Sequence, residues 1–301
     1  MIYTVTINPA IDYIMHLTEL KTGKINRSFD ENPVLGGKGI NVSLVLKELG
    51  NPSVATGFIA GFTGKAVIQG LNNAGVENDF VELPQGLTRI NVKLRSDNET
   101  DINAKGPEIS KGDIKALTEK LSRLKSGDCL VLAGNVPSAL PTDTYAELIA
   151  ALKGKDIRTV VDAEGEQLLK TLKYRPFLIK PNEDELFDLF GVSGGTKQDI
   201  IKYAKELQKL GAQNVLVSMG ADGAMLLDEH GNTHLAEAIK GKPVNTVGAG
   251  DSMVAGFISG FIKTADYAYA LKLGTAAGAA TAFSEGLAER ELIQRLERGI
   301  C

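Results

Sequence analysis

From residue 110 onward the chain alternates between amphipathic helical stretches and short apolar, β-rich runs: ISKGDIKALTEKLSRL, DCLVLAG, TDTYAELIAALKG, IRTVVDA, FLIKPN, two more helical segments, then NVLVSMG. Strands separated by helices in this way are predicted to lie parallel, because a parallel neighbour needs a crossover long enough to hold a helix. The predicted fold class is therefore α/β: a doubly wound, mostly parallel sheet flanked by helices. In such sheets ligands collect beyond the carboxyl ends of the strands. That rule points to the loops after Val131, Val161, Ile179 and Val217, which carry Asn135, Asp162, Lys180, Asn182 and Gly220.

Two segments break the rhythm. Residues 11–33 and 86–105 are polar and carry alternating patterns such as RINVKLRSDNETDIN, which predict a small antiparallel sheet set apart as a lid. Between them GGKGINVSLVLKEL is a glycine turn leading into a helix with Ile40 and Leu44 on its apolar side. Beyond Asp251 the pattern is helical to the end, and Gly256 and Gly260 are spaced for close helix contact. At 301 residues the whole chain suits one domain with a single large core.

Composition removes several classes of function. A net charge of −4 argues against nonspecific nucleic-acid binding, although cations can still cluster around an anionic ligand. No apolar run approaches the roughly 20 residues a bilayer span needs, so no membrane role is expected. The start, MIYTVTINPAIDYIMHL, lacks a basic leader and contains Asp12, so it reads as a first strand. Two cysteines, Cys129 and Cys301, form no disulfide framework, and a cytoplasmic location is expected. His16, His230 and His234 are scattered without metal spacing.

The stretch NTVGAGDSMVAGF, residues 245–257, bears most directly on chemistry. Gly248 and Gly250 permit a turn whose N–H groups face an anion at the start of a helix, with Asp251 beside it. An ordinary glycine turn capped by Asp251 explains the same residues equally well. Neither Gly64-Lys65 nor Gly37-Lys38 completes a GxxxxGK[ST] loop, and GAGDSM fails GxGxxG.

Five pieces stand in one order: Asp12 after the first strand, GGKGxN at residues 36–41, KPNxxE at 180–185, SMGADG at 218–223 and NTVGAGD at 245–251. In this order the chain resembles the PfkB (ribokinase-like) carbohydrate kinase family over essentially its whole length. The resemblance implies an ATP- and Mg²⁺-dependent kinase with a ribokinase-like fold and a small β-sheet lid. TVTINPAID and ETDIN resemble members acting on ketohexose phosphates. The expected acceptor is the 6-hydroxyl of fructose 1-phosphate, with tagatose 6-phosphate or fructose 6-phosphate as alternatives.

The resemblance also implies roles for individual residues. Asp251 would take the acceptor proton while the amides of Gly248, Ala249 and Gly250 hold the charge on the migrating phosphoryl group. A helix N-terminus is expected to depress the Asp251 pKa, so that position rather than basicity matters. Asp12 and Asn41 would bind sugar hydroxyls, with Gly36 and Gly37 letting the backbone close on the ring. Lys24, Arg27, Lys38 and Arg89, with Lys105 and Ser138 as further candidates, would meet the phosphate already on the sugar. Lys180, Asn182 and the turn of Ser218, Gly220, Ala221 and Gly223 would contact the nucleotide, whose adenine would pack near Gly278. SMGADG also reads as a plain hairpin turn. Glu185, with Asn182, would order waters on Mg²⁺. Family members often dimerise through the lid, so a homodimer is expected. A noncatalytic sugar-phosphate sensor on this scaffold would lack Asp251 or the glycine loop, and both are present.

Overall fold

The computed structural model describes residues 1–299. It begins with β1 (Ile2–Thr6), β2 (Ala10–His16), β3 (Asp30–Gly36), α1 (Lys38–Glu48), β4 (Ser53–Ala60) and α2 (Gly61–Asn73). The short strands β5 (Glu77–Asn78) and β6 (Val81–Leu83) precede β7 (Arg89–Arg95) and β8 (Thr100–Ile102). Next come α3 (Lys111–Leu121), β9 (Cys129–Ala133), α4 (Thr144–Ala150), β10 (Arg158–Asp162), α5 (Gly165–Thr171) and β11 (Leu178–Ile179). They are followed by α6 (Glu183–Leu189), α7 (Lys197–Leu210), β12 (Asn214–Ser218), β13 (Ala224–Leu227) and β14 (Thr233–Ala236). The helices α8 (Ala249–Thr264), α9 (Tyr267–Ala282) and α10 (Arg290–Gly299) come last.

The main sheet runs β14-β13-β12-β11-β10-β9-β1-β4-β5, with β6 beside β4. It is parallel from β12 through β5, and only the β12–β13–β14 edge is antiparallel. The two-residue period of each strand divides the core between its faces. Leu130 and Leu132 of β9, Val161 of β10 and Val215 and Val217 of β12 pack with Leu117, Tyr145, Phe187 and Leu207 from α3, α4, α6 and α7. Their neighbours Cys129, Val131, Val160 and Leu216 face Val45, Val254, Phe257 and Ala277 from α1, α8 and α9. Helices therefore cover both faces, as the alternation of the sequence requires. Ser110 with Asp113, and Thr196 with Asp199, form capping boxes that start α3 and α7.

Gly256 and Gly260 sit where α8 meets α9: a Cβ on Gly256 would lie 2.6 Å from the Leu273 carbonyl oxygen, and one on Gly260 2.8 Å from Ala270 Cα. Cys129 is buried and free, with its thiol pushed up to about 12 by burial, and is chemically inert there. Cys301 lies outside the described residues. No helix among the described residues is long and apolar enough to cross a membrane.

The second sheet, ordered β3-β2-β7-β8, is separate and smaller. It departs from the expected antiparallel arrangement at its centre, where β2 and β7 pair in parallel. Both strands leave the main sheet after parallel strands, β2 from β1 and β7 after β4 and β6, and so both run outward in the same direction. Their register sets Asp12 beside Asn91 and Tyr13 beside Val92. One face of the small sheet therefore carries Asp12, Asn91 and Lys93, while Tyr13, Val92 and Leu94 lie on the other.

Candidate active site

Between the two sheets lies a cleft of about 710 Å³. Thr6, Ala133, Asp162 and Ser218 are the last residues of β1, β9, β10 and β12, and all four line it. This is the carboxyl edge of the parallel sheet, where the topology leaves room for a ligand. The amino ends of α1 and α8 open onto the same space, adding the positive ends of two helix dipoles.

Thr6 explains much of the GGKG turn. Its Oγ1 accepts from the Ile40 amide at 3.0 Å and so anchors the first turn of α1 on β1. A Cβ on Gly37, where φ is +123°, would lie 2.6 Å from Thr6 Cγ2. A Cβ on Gly39 would come equally near Thr6 Oγ1, at 2.6 Å. These glycines allow the helix start to press against the strand, and that close approach presents Lys38 and Asn41 to the cleft.

At the centre, Asp251 Oδ2 accepts a 2.8 Å hydrogen bond from Asn41 Nδ2, which joins residues 210 positions apart in the chain. Asp251 lies in the first turn of α8 but makes no cap bond; Gly248, with φ +81°, is the N-cap. The simple capping role is thereby overturned. Among the described residues no acceptor takes the Gly248 or Gly250 amide, whereas the Ala249 amide donates to the Thr246 carbonyl at 3.2 Å. Ala249 thus differs from expectation, because the turn uses its N–H internally.

Asp251 is 5 % exposed. Burial, followed by the negative charge of Asp162, pushes its pKa up to about 6, against the hydrogen bond from Asn41 and the charges of Lys38 and Lys180. The expected depression does not occur, since desolvation and the nearby Asp162 charge outweigh the groups that favour the carboxylate. Burial opposes the charge on Lys38, but Asp162, Asp251, Glu185 and Glu164 outweigh it and hold the ammonium above the ordinary lysine range. Lys38 Nζ and Lys180 Nζ both lie 3.5 Å from Asp162 Oδ1, and Lys38 Nζ lies 3.8 Å from Glu164. Lys180 Nζ also lies beside the start of α8, where a Cβ on Gly250 would be 3.3 Å away.

Asn182 and Glu185 form a reciprocal cap on α6. The Asn182 amide donates to Glu185 Oε2 at 2.8 Å, and the Glu185 amide donates to Asn182 Oδ1 at 2.7 Å. Glu185 Oε1 and Asn182 Nδ2 stay outside this exchange, and both residues line the cleft.

Toward the small sheet the cleft is bounded by Asp12, Asn91 and Arg89. Arg89 Nε donates to the Asn8 carbonyl at 3.2 Å, leaving the outer guanidinium nitrogens available. Burial lowers the Arg89 pKa against the pull of Asp12. Lys105 and Ser138 line the cleft as well. The loop bearing Ser138 is pinned at Val136, whose amide donates to Gln167 Oε1 at 3.1 Å and whose carbonyl accepts from Gln167 Nε2 at 3.2 Å.

Several expected residues stand elsewhere. Lys24 and Arg27 are exposed in the β2–β3 connection and do not line the cleft. β2 runs outward past Asp12 to His16 before that connection begins, so the connection lies at its far end. Gly36 packs on Asp12, whose carboxyl would be 3.0 Å from an added Cβ. Gly220 and Ala221 are exposed in the turn between β12 and β13, and Gly223 backs onto the Ala236 carbonyl; none lines the cleft. SMGADG is thus the hairpin turn its plainer reading anticipated. Gly278 packs α9 on α8, where a Cβ would lie 3.1 Å from the Ala249 carbonyl oxygen, so close helix packing explains it.

Other residues came into view only with the structure. Asp162 was legible as a strand-end residue, but not as the shared partner of two lysines. Glu164 and Gln167 carried no distinguishing motif, and Asn8 and Asn91 did not stand out within TVTINPAID and RINVKLRSDNETDIN.

The profile described as pfkB family carbohydrate kinase matches residues 5–293. The chain is 46% identical over 296 residues to a 1-phosphofructokinase of Bacillus subtilis, covering 98% of this chain and 97% of that one. It is 40% identical over 290 residues to a D-tagatose-1-phosphate kinase of Bacillus licheniformis, covering 96% and 95%. Among solved structures, phosphofructokinase-2 from Escherichia coli in complex with substrates and products superposes with a TM-score of 0.93 at 28% identity, covering 99% of each chain. With its ribokinase-like architecture and the match along nearly its whole length, this chain belongs to the pfkB family of carbohydrate kinases.

Proposed function

We propose that the protein transfers the γ-phosphoryl group of ATP to the 6-hydroxyl of fructose 1-phosphate, giving fructose 1,6-bisphosphate. The observation that carries this reading is the convergence of Asp251, Asn41 and the unpaired Gly248 and Gly250 amides at one end of the cleft, with Arg89 at the other. An acceptor hydroxyl beside Asp251 would lose its proton to that carboxylate as the bond to phosphorus forms. The amides and Lys180 would meet the charge spread over the migrating group. Arg89 would bind the phosphate already on the sugar through its outer nitrogens. Closing the small sheet over the cleft as a lid would keep water from competing for the phosphoryl group.

The donor set also suits magnesium. Asp162 Oδ2 is buried without a hydrogen-bond partner, and Glu185 Oε1 is outside the α6 cap. Among the described residues no cluster of three or more His, Cys, Asp or Glu side chains could enclose a metal. Such a site favours a Mg²⁺ that keeps its waters and binds mainly to phosphate oxygens, with Asp162 and Glu185 holding it from the protein side. The ion would neutralise charge on the transferred phosphate.

The name of the Bacillus licheniformis relative favours tagatose 1-phosphate as the second reading. That sugar is the C4 epimer of fructose 1-phosphate and would use the same machinery. ADP release measured with fructose 1-phosphate, tagatose 1-phosphate, fructose 6-phosphate and tagatose 6-phosphate decides among them. At least about tenfold higher kcat/KM on fructose 1-phosphate is expected. A preference for another of the four would overturn the assignment of the sugar.

Replacing Arg89 with alanine is expected to raise KM for the sugar phosphate about 10- to 100-fold, with kcat little changed. An unaltered KM would remove Arg89 from the phosphate site. We also infer a homodimer through the small sheet, whose side opposite Asp12 exposes Ile90 and Ile102. Sedimentation equilibrium would read its mass. ATP supply and a free cysteine both fit the cytoplasm.

A further inference from the structure

The side of the small sheet that faces the cleft holds a second group with unused capacity. The parallel register of β2 and β7 makes Asp12 and Asn91 neighbours, and Asn91 Nδ2 donates to Asp12 Oδ1 at 2.7 Å. An ionised carboxylate only accepts, so Asn91 must turn its NH₂ toward Asp12, and the orientation of the amide follows from chemistry. Its Oδ1 is thereby directed away from Asp12. That oxygen is buried and has no hydrogen-bond partner among the described residues, on a side chain that lines the cleft and belongs to a residue only 6 % exposed. Such an acceptor is costly to leave unmade, and a hydroxyl donor arriving in the cleft would satisfy it.

The surrounding groups narrow the donor. Lys93 Nζ lies 3.0 Å from Asp101 and 4.0 Å from Asp12, so its ammonium is held by Asp101 rather than turned to Asn91. Asn8 Oδ1 is the other orphan acceptor at this end of the cleft. Its Nδ2 donates to the Lys105 carbonyl at 2.9 Å, and a Cβ added at Gly106 would collide with its Oδ1, so chain atoms crowd that oxygen. Asn91 is therefore the uncharged acceptor left to a ligand between Asp12 and Arg89.

Resting on the kinase reading above, we propose that Asn91 is a sugar-binding and specificity-determining residue whose Oδ1 accepts a hydrogen bond from one ring hydroxyl of the ketose. Asp12 would take a neighbouring hydroxyl, and the Nδ2–Oδ1 bond between the two side chains would hold the acceptors at a set spacing. An epimer or deoxy sugar that cannot supply the matching donor leaves Asn91 Oδ1 unpaired and is rejected on that account.

The test is a cycle of kcat/KM values with Asn91→Ala and the parent enzyme, each assayed on fructose 1-phosphate, its 3-deoxy and 4-deoxy analogues and tagatose 1-phosphate. For one of these analogues the parent is expected to lose about 10- to 100-fold relative to the full sugar, and Asn91→Ala to lose a similar factor on the full sugar. The two losses should not multiply, so Asn91→Ala should treat that analogue and the full sugar within about threefold of each other. KM for ATP should stay unchanged. Losses that multiply for every analogue would overturn the proposal and leave Asn91 a structural support for Asp12. If Asn91→Ala does not fold, the same cycle with Asn91→Ser gives the same discrimination. A parent enzyme inactive on every ketohexose phosphate would instead defeat the kinase reading itself, before any variant is compared.

Discussion

Asp251→Asn is expected to lower kcat by about 10³-fold or more while leaving KM for the sugar phosphate within about threefold. The substitution keeps the shape of the side chain, and an amide oxygen at position 251 can still accept from Asn41 Nδ2. It removes the proton acceptor and little else. In the parent, burial raises the Asp251 pKa to about 6, so the ionised base is present above that pH and is lost as pH falls through it. Turnover at saturating substrate should therefore drop about tenfold per pH unit on the acid side. Saturation matters because the sugar phosphate itself titrates near pH 6. The same shift affects stability with a definite sign. A carboxyl whose folded pKa exceeds its unfolded value makes the fold more stable at low pH, and that contribution disappears as pH rises from the unfolded value to about 6. Asp251→Asn should accordingly be the more stable protein at pH 7 in urea titrations. A variant with parental kcat would remove Asp251 from the chemistry, and equal stability at pH 7 would show that its burial carries no strain.

Gly57→Ala has the largest effect expected on folding. Gly57 lies in β4 with φ at +141° and pairs with Thr6 in the register of β1 and β4. An added Cβ would fall on the Thr6 carbonyl oxygen, a main-chain atom that cannot swing aside. β1 and β4 must part within the main sheet, and a non-glycine residue is also strained at that φ. A loss above about 4 kcal/mol is expected, a large share of the roughly 5–15 kcal/mol that a domain has. Displacing Thr6 also withdraws the acceptor that anchors the Ile40 amide, and with it the placement of Lys38 and Asn41. Gly286→Ala is the control, since an added Cβ there meets nothing within 4 Å. Equal urea midpoints for the two variants would overturn the steric account.

The strand-end and turn residues that line the cleft share a property: each sits at a place the local pattern identifies. Asp162, Asn182 and Ser218 end or follow strands, and Asp251 follows a glycine turn into a helix, so all four reach the cleft. Lys24 and Arg27 stand away from the cleft, and residue type says nothing of how far a strand runs before it turns. The turn bond from Ala249 to Thr246 and the close α8–α9 contact at Gly278 depend on partners that no spacing reveals. Asn91, one polar residue in an alternating strand, became visible only when the parallel register set it beside Asp12.

Periodicity and backbone hydrogen-bonding needs act over a few residues, and so the sequence by itself determined the parallel sheet, the helices on both faces and the edge where ligands gather. Burial and pairing are properties of space. Only the tertiary structure decided that Asn41 meets Asp251 across 210 positions, that Asp162 holds two lysines, and that desolvation raises the Asp251 pKa where the helix end alone would depress it.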